Sequence, residues 1–138
     1  MSVDAIFAAS RFGLEFERLR LEAATSNIAV ANTPSAPGRP AQLMRAIATY
    51  GNGFDAALGE TGTAMQASLV AITAPGREVH DPSDPMADQN GMVTYPKVDL
   101  VQEMSTLADA ERAYEANVRA FNTLRGMALH SLDIGSGT

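Results

Sequence analysis

Two proline-free stretches, one near each end of the chain, read as long helices that carry apolar side chains on more than one face. From Val3 to about Ala31 only Gly13 interrupts good helix formers. At about 100° per residue, Phe7, Leu14, Leu21 and Ile28 fall on one stripe at heptad spacing. Phe12, Phe16, Leu19, Ala23 and Val30 fall on a second stripe roughly opposite. Arg11, Glu15, Arg18 and Glu22 fill one polar seam between the stripes, and Glu17 and Arg20 the other. A helix packed in a single monomer needs one apolar face, so a second stripe implies two sets of neighbours or full burial.

The C-terminal stretch, from about Asp99 to Leu132, has the same character. Leu100, Leu107, Tyr114, Phe121 and Ala128 recur every seven residues, with Met104, Val118 and Leu132 beside them, as in a coiled-coil seam. Ala110, Ala113, Asn117, Ala120, Leu124 and Met127 form a neighbouring face of mostly small residues that admits another helix closely. Pro96 precedes this helix, and Gly135 and Gly137 are expected to end it.

Residues 33–96 hold the prolines and most of the glycines. Three segments read as strands: "AQLMRAIATY" (41–50), "AMQASLVAIT" (64–73) and "GMVTY" (91–95). "GNGFDAALGETGT" and "APGREVHDPSDPMADQN" read as the loops between them. The expected fold is α+β and mainly α. Residues 1–32 and 97–134 are expected to pair as an antiparallel coiled-coil-like hairpin. Residues 33–96 form a loop and small β-hairpin insert at its far end.

Composition narrows the function. A chain of 138 residues supports one domain, and the 6% aromatic share without Trp points to a thin core built on Ala, Leu and Met. The net charge of −6, with no basic run, argues against nucleic acid and anionic membranes as partners. The absence of cysteine excludes disulfides and thiolate zinc sites and leaves the compartment open. The segment "MSVDAIFAASRFGLEFERLR" lacks a basic region and is broken by Asp4, Arg11, Glu15 and Glu17, so neither a secretory signal nor a membrane span is expected.

No set of residues assembles an active site. The two histidines, His80 and His130, have no nucleophile elbow to serve and read as a loop residue and a helix C-terminal residue. Asp81, Asp84, Asp88 and Asn90 before Gly91 superficially resemble a calcium loop, but two prolines break the spacing and no Glu stands at the bidentate position. Turn-forming Asp and Asn that bond their own backbone account for the same residues. "GNG" at 51–53 and "GSG" at 135–137 lack the context of a phosphate loop. No cofactor, metal or catalytic residue is assigned.

Motifs at both ends resemble the flagellar basal-body rod proteins, most closely their proximal-rod members. In that family a D-P-x-x-P-x-A-x-x-x-G stretch leads into Pro-x-Val-(Asn/Asp), Glu-Met and Tyr-x-Ala-Asn. The matching residues are Asp81, Pro82, Pro85, Ala87 and Gly91, then Pro96, Val98, Asp99, Glu103, Met104, Tyr114, Ala116 and Asn117, with Asn122 five residues on. Near the N-terminus, Ser26, Asn27, Ile28 and Ala29 match the family's Ser/Ala-Asn-Leu-Ala-Asn, and Val30 departs from it.

The resemblance implies a non-enzymatic structural subunit that self-associates and co-assembles with other rod subunits and with ring and export-gate components. It also implies residence in the periplasmic rod, reached through the flagellum's own type III apparatus without a cleavable signal, and transmission of torque. Within the subunit, Phe7, Leu14, Leu21 and Ile28 are expected to pack on Leu107, Tyr114, Phe121 and Ala128. Phe12, Phe16, Leu19, Asn27, Ala110, Ala113, Asn117 and Asn122 are expected to meet neighbouring subunits. Asn27 would bond a neighbour's backbone and set register, and Asn32 would end the first helix in a left-handed conformation before Pro34. Another axial subunit or paralogue, or a soluble helical export chaperone or adaptor, are the readings that remain beside this one.

Overall fold

The computed structural model describes residues 3–36, 39–50 and 65–136. In chain order they form helix α1 (Val3–Val30), strands β1 (Ala41–Tyr50), β2 (Met65–Ala74), β3 (Gly76–His80) and β4 (Met92–Pro96), and helix α2 (Leu100–Ser136). The strands pair as two antiparallel two-stranded sheets, β1–β2 and β3–β4. The architecture is α+β and mainly helical. The loop expected over 51–63 lies outside the described residues.

Local chemistry sets the ends of the helices. Asp99 caps α2: its Oδ1 accepts from the N–H of Val101 and of Gln102, both at 3.1 Å. Helix α1 closes by shortened bonds, Ala31 N–H to the Ile28 carbonyl at 3.3 Å and Thr33 N–H to the Val30 carbonyl at 2.9 Å. The left-handed conformation expected at Asn32 is not adopted, since no described residue other than glycine has a positive φ. The shortened bonds already use the last carbonyls, and Pro34 restrains the residue before it to extended backbone. Helix α2 runs on through Gly135 to Ser136, beyond the expected end near Leu132. Gly135 does not take the left-handed form that a glycine stop requires, because Gly91 is the one described glycine with positive φ.

The 33–96 segment departs most from expectation. β3 lies within a stretch read as loop, because "GREVH" offers a single apolar residue and becomes a strand by pairing with β4 from Gly76↔Pro96 to His80↔Met92. Pro75 separates β2 from β3, and its carbonyl accepts from Lys97 N–H at 2.9 Å. A Cβ at position 76 would stand 2.5 Å from Thr94 Cγ2, so only glycine allows this approach. The loop from Asp81 to Gly91 is folded by three aspartates. Asp81 Oδ1 accepts from the Ser83 N–H (3.1 Å) and hydroxyl (2.6 Å), Asp84 Oδ1 from Met86 N–H (2.8 Å), and Asp88 Oδ1 from Asn90 N–H (2.8 Å) and Met92 N–H (2.9 Å).

The β1–β2 hairpin does not stand at the far end of the helices; it lies along α1. Met44 touches Asn27, and at the other end of the hairpin Met65, Gln66 and Ala67 face Ala8, Phe12 and Glu15. Six strand residues from Met44 to Tyr50 cover about 20 Å, and fifteen helical residues from Asn27 to Phe12 about 22 Å, so strand and helix run side by side in opposite senses. The cause is the second apolar stripe of α1, which ten-residue strands are long enough to cover. The core is thin and alanine-rich: Leu19, Ala23, Ala24, Ala31, Ala41, Ala74, Val93 and Ala110 are buried, and Val93 is the largest side chain fully withdrawn from solvent.

Gly91 holds φ at +73°, and an added Cβ would lie 3.0 Å from Pro82 Cγ. Gly91→Ala should therefore lower stability by about 1–2 kcal/mol. Chemical denaturation measures this, and an unchanged midpoint would contradict the assigned turn.

Candidate assembly surfaces

Helices α1 and α2 contact each other with opposite chain sense. Phe7 meets Phe121 edge-on, with ring centroids 5.6 Å apart and planes at 70°. One turn and a half further along α1, a Cβ on Gly13 would lie 3.1 Å from Asn117 Nδ2, so the backbone of α1 comes close to α2 at this point. Near the other end, Ala24 and Asn27 share a cleft of about 250 Å³ with Gln102, Glu103 and Thr106. Leu14, Leu21, Ile28, Leu107, Tyr114 and Ala128 are all half-buried. An apolar hollow of about 230 Å³ between Ile6, Phe7, Leu124, Met127, Ala128 and Ser131 marks where α1 stops short of α2.

On the opposite face of α1, Phe12 and Phe16 stack with centroids 6.0 Å apart and planes at 14°. Both are half-buried, and a hollow of about 430 Å³ separates Phe12 from the start of β2. Asn27 is only 4% exposed. Its Nδ2 donates to the Met44 carbonyl at 3.0 Å and its Oδ1 accepts from Met44 N–H at 2.7 Å. The amide thus satisfies both main-chain groups of one β1 residue, as a neighbouring strand would.

Four of the residues expected between subunits are engaged inside the chain. Leu19, Asn27 and Ala110 are buried, and Asn117 lies against Gly13. The hairpin supplies the cover that the sequence reading assigned to a neighbouring molecule, and the small residues of α2 face α1. Ala113 is half-buried and Asn122 exposed. The seam positions Leu100, Met104 and Leu132 are exposed, contrary to expectation. Helix α2 has 37 residues against 28 in α1, about 13 Å more, and part of its seam extends beyond its partner.

The apolar surface left open is concentrated on α2. Val101 is 79% exposed and Ile134 70%, and Met104, Met127, Leu129 and Leu132 are more than half exposed. These residues lie at the two ends of the helix. The sequence pattern missed Val101, Leu129 and Ile134 because they sit off the heptad stripe. It also missed the Asn27–Met44 pairing, although a polar side chain beside an apolar stripe signals a polar partner in whatever covers that stripe.

Polar chemistry on the described residues is structural. Arg18 bridges Glu15 at 2.6 Å and Glu22 at 3.7 Å along one seam of α1, and Arg20 bonds Glu17 at 2.8 Å along the other. The hydrogen bond from Arg18 holds the Glu15 carboxyl below its ordinary range. Hydrogen bonds from Ser83 lower the Asp81 pKa, and those from Met92 and Asn90 lower that of Asp88. Among the described residues no cluster of potential metal ligands exists, and no helix is long and apolar enough to cross a membrane.

Comparison with known proteins places these features in a family. Residues 89–134 match the family described as flagellar basal body rod FlgEFG protein C-terminal. The chain is 36% identical to the flagellar basal-body rod protein FlgC of Salmonella typhimurium, over 98% of this chain and 99% of the relative. It is 33% identical to that of Yersinia enterocolitica over the same shares, and 33% identical to that of Bacillus subtilis over 91% of this chain and 93% of the relative.

Two measurements check the local assignments. Asn27→Leu leaves two part-buried main-chain groups of Met44 without their partner and should cost about 1 kcal/mol for each group left unpaired. Urea denaturation would show a lowered midpoint with helix content retained, and a wild-type midpoint would rule out the role given to Asn27. A carboxyl whose native pKa is lowered stabilises the fold fully above its ordinary value of 3.8, and loses that contribution as pH falls through its native value. The stability difference between wild type and Asp88→Ala should thus be constant from neutral pH down to the ordinary carboxylate range, shrink below 3.8 and be lost once pH has passed the lowered native value. A difference that persists in strong acid would contradict the hydrogen bonds assigned to Asp88.

Proposed function

Because the chain belongs to the family of flagellar basal-body rod proteins FlgC, and is thus a non-enzymatic structural subunit of the flagellar basal body, we propose that it builds the proximal part of the rod. In this reading α1 and α2 pair as a coiled-coil-like axial core, held by Phe7, Leu14, Leu21 and Ile28 against Leu107, Tyr114, Phe121 and Ala128. Residues 1–32 and 97–134 then act as the axial unit and residues 33–96 as the insert that braces it. Torque passes along the packed helices.

The observation that carries the proposal is the uncovered apolar surface of α2, from Val101 and Met104 at one end to Leu129, Leu132 and Ile134 at the other. Clustered exposed apolar residues of this kind mark a protein contact, and a subunit of a rod must contact others. Two separated patches on one long helix suit heterologous contacts, which repeat along an axis instead of closing on themselves. Asn122 and the half-buried Ala113 are the remaining contact residues in this reading. Other rod subunits, further copies of the chain, and ring and export-gate components are the partners. The location is the periplasmic rod, reached through the flagellum's own export apparatus.

Leu14→Asp or Tyr114→Asp places a charge in the helix pair, and either should abolish swimming and rod assembly while the protein is still exported. Wild-type motility in such a strain would sink the proposal. Mass spectrometry of purified basal bodies, before and after removal of hook and distal rod, checks the proximal position: the chain should persist in the stripped particles.

A further inference from the structure

The contact between Asn27 and Met44 determines which edge of the β1–β2 sheet is closed. Met44 turns both its N–H and its carbonyl to Asn27, away from β2. Residues along a strand alternate in the direction of their main-chain groups, so Met44↔Ala71 is a pair without mutual backbone bonds. Ala71 therefore presents its N–H and carbonyl on the opposite edge of β2, as do Met65, Ala67, Leu69 and Thr73 at two-residue intervals. Among the described residues no strand pairs with that edge.

On the β1 edge Asn27 thus takes both main-chain groups of Met44, whereas along the β2 edge no described strand pairs over about 33 Å. Natural open edges are usually protected by charge, proline or a bulge. β2 has none of these: "MQASLVAITA" contains no charged residue and no proline, and its register with β1 is unbroken over ten pairs.

We propose that the open edge of β2 is an assembly surface that takes up an extended, uncharged strand of a different rod subunit by β-augmentation. The proposal rests on the rod-subunit reading above. Main-chain donors and acceptors alternating in the plane of a sheet are matched only by another extended backbone, so the occupant is a strand. Cross-strand neighbours on β2 offer no countercharge, so the incoming residues are neutral and β-forming. A second copy of this chain cannot supply the same strand, because any pairing of this edge with itself is isologous and closes as a two-fold dimer, which cannot repeat along a rod.

The test uses basal bodies purified from cells whose chain carries a benzophenone side chain in place of Ala71, an exposed residue. Irradiation should join position 71 to a different rod subunit, identified by mass spectrometry. Ala71→Pro removes one open-edge N–H and none that faces β1, so it should keep the native circular dichroism spectrum while incorporation into basal bodies falls about tenfold. A crosslink to a second copy, no crosslink from incorporated chain, or normal incorporation of a folded Ala71→Pro protein would each overturn the proposal. If the proline variant fails to fold, the crosslink alone decides. Absence of the unmodified chain from basal bodies would instead remove the rod reading itself, and the edge proposal with it.

Discussion

Helix α1 carries large apolar side chains on two opposite faces, and the rest of the fold is arranged to cover both. α2 takes one face through Phe7 and Phe121, and the β1–β2 hairpin takes the other over Ala23 and Asn27. The middle position of α1 explains why alanines, Ala23 and Ala24, are among its few buried residues: small side chains let a helix and a sheet approach from both sides. It also explains the place of Asn27. A one-residue slip of β1 would turn every side chain of the hairpin to the opposite face. The two hydrogen bonds to Met44 hold one register, and so determine which face of the hairpin lies on α1 and which edge of β2 stays free.

Internal cover of α1 divides the labour between the two helices. α1 uses most of its apolar surface to hold the subunit together, whereas α2 is longer than its partner and keeps apolar residues uncovered at both ends. A subunit that must be stable enough to dock, yet gain most of its burial in the assembly, has this distribution. The Asp81–Gly91 loop has a different task. Its three aspartates and the positive φ of Gly91 fold it tightly on its own backbone, which positions β4 and then Asp99 at the start of α2.

Much of this was legible in the sequence. The absence of proline and the heptad spacing located α1 to within a residue, and the β-forming runs located β1 and β2 equally closely. Asp, Pro and Gly at fixed offsets announced the folded loop, and the Phe7–Phe121 contact lay on the expected stripes. What was not legible depended on tertiary placement. β3 has almost no intrinsic strand signal and forms because β4 is beside it. The second stripe of α1 announced that something covers it, but periodicity does not tell a neighbouring molecule from the chain's own hairpin. Leu19, Asn27, Ala110 and Asn117 were therefore assigned outward although they face inward. The exposed Val101, Leu129 and Ile134 lie off the heptad, where no pattern marks them.

The central claim is that α1 is covered within the subunit while α2 faces the neighbours. Site-specific photo-crosslinking in intact basal bodies, from position 12 on α1 and from position 132 on α2, tests it most directly. The expected result is that position 12 joins the Met65–Ala67 region of its own chain and position 132 joins another subunit. Capture of another subunit from position 12, with none from position 132, would contradict it.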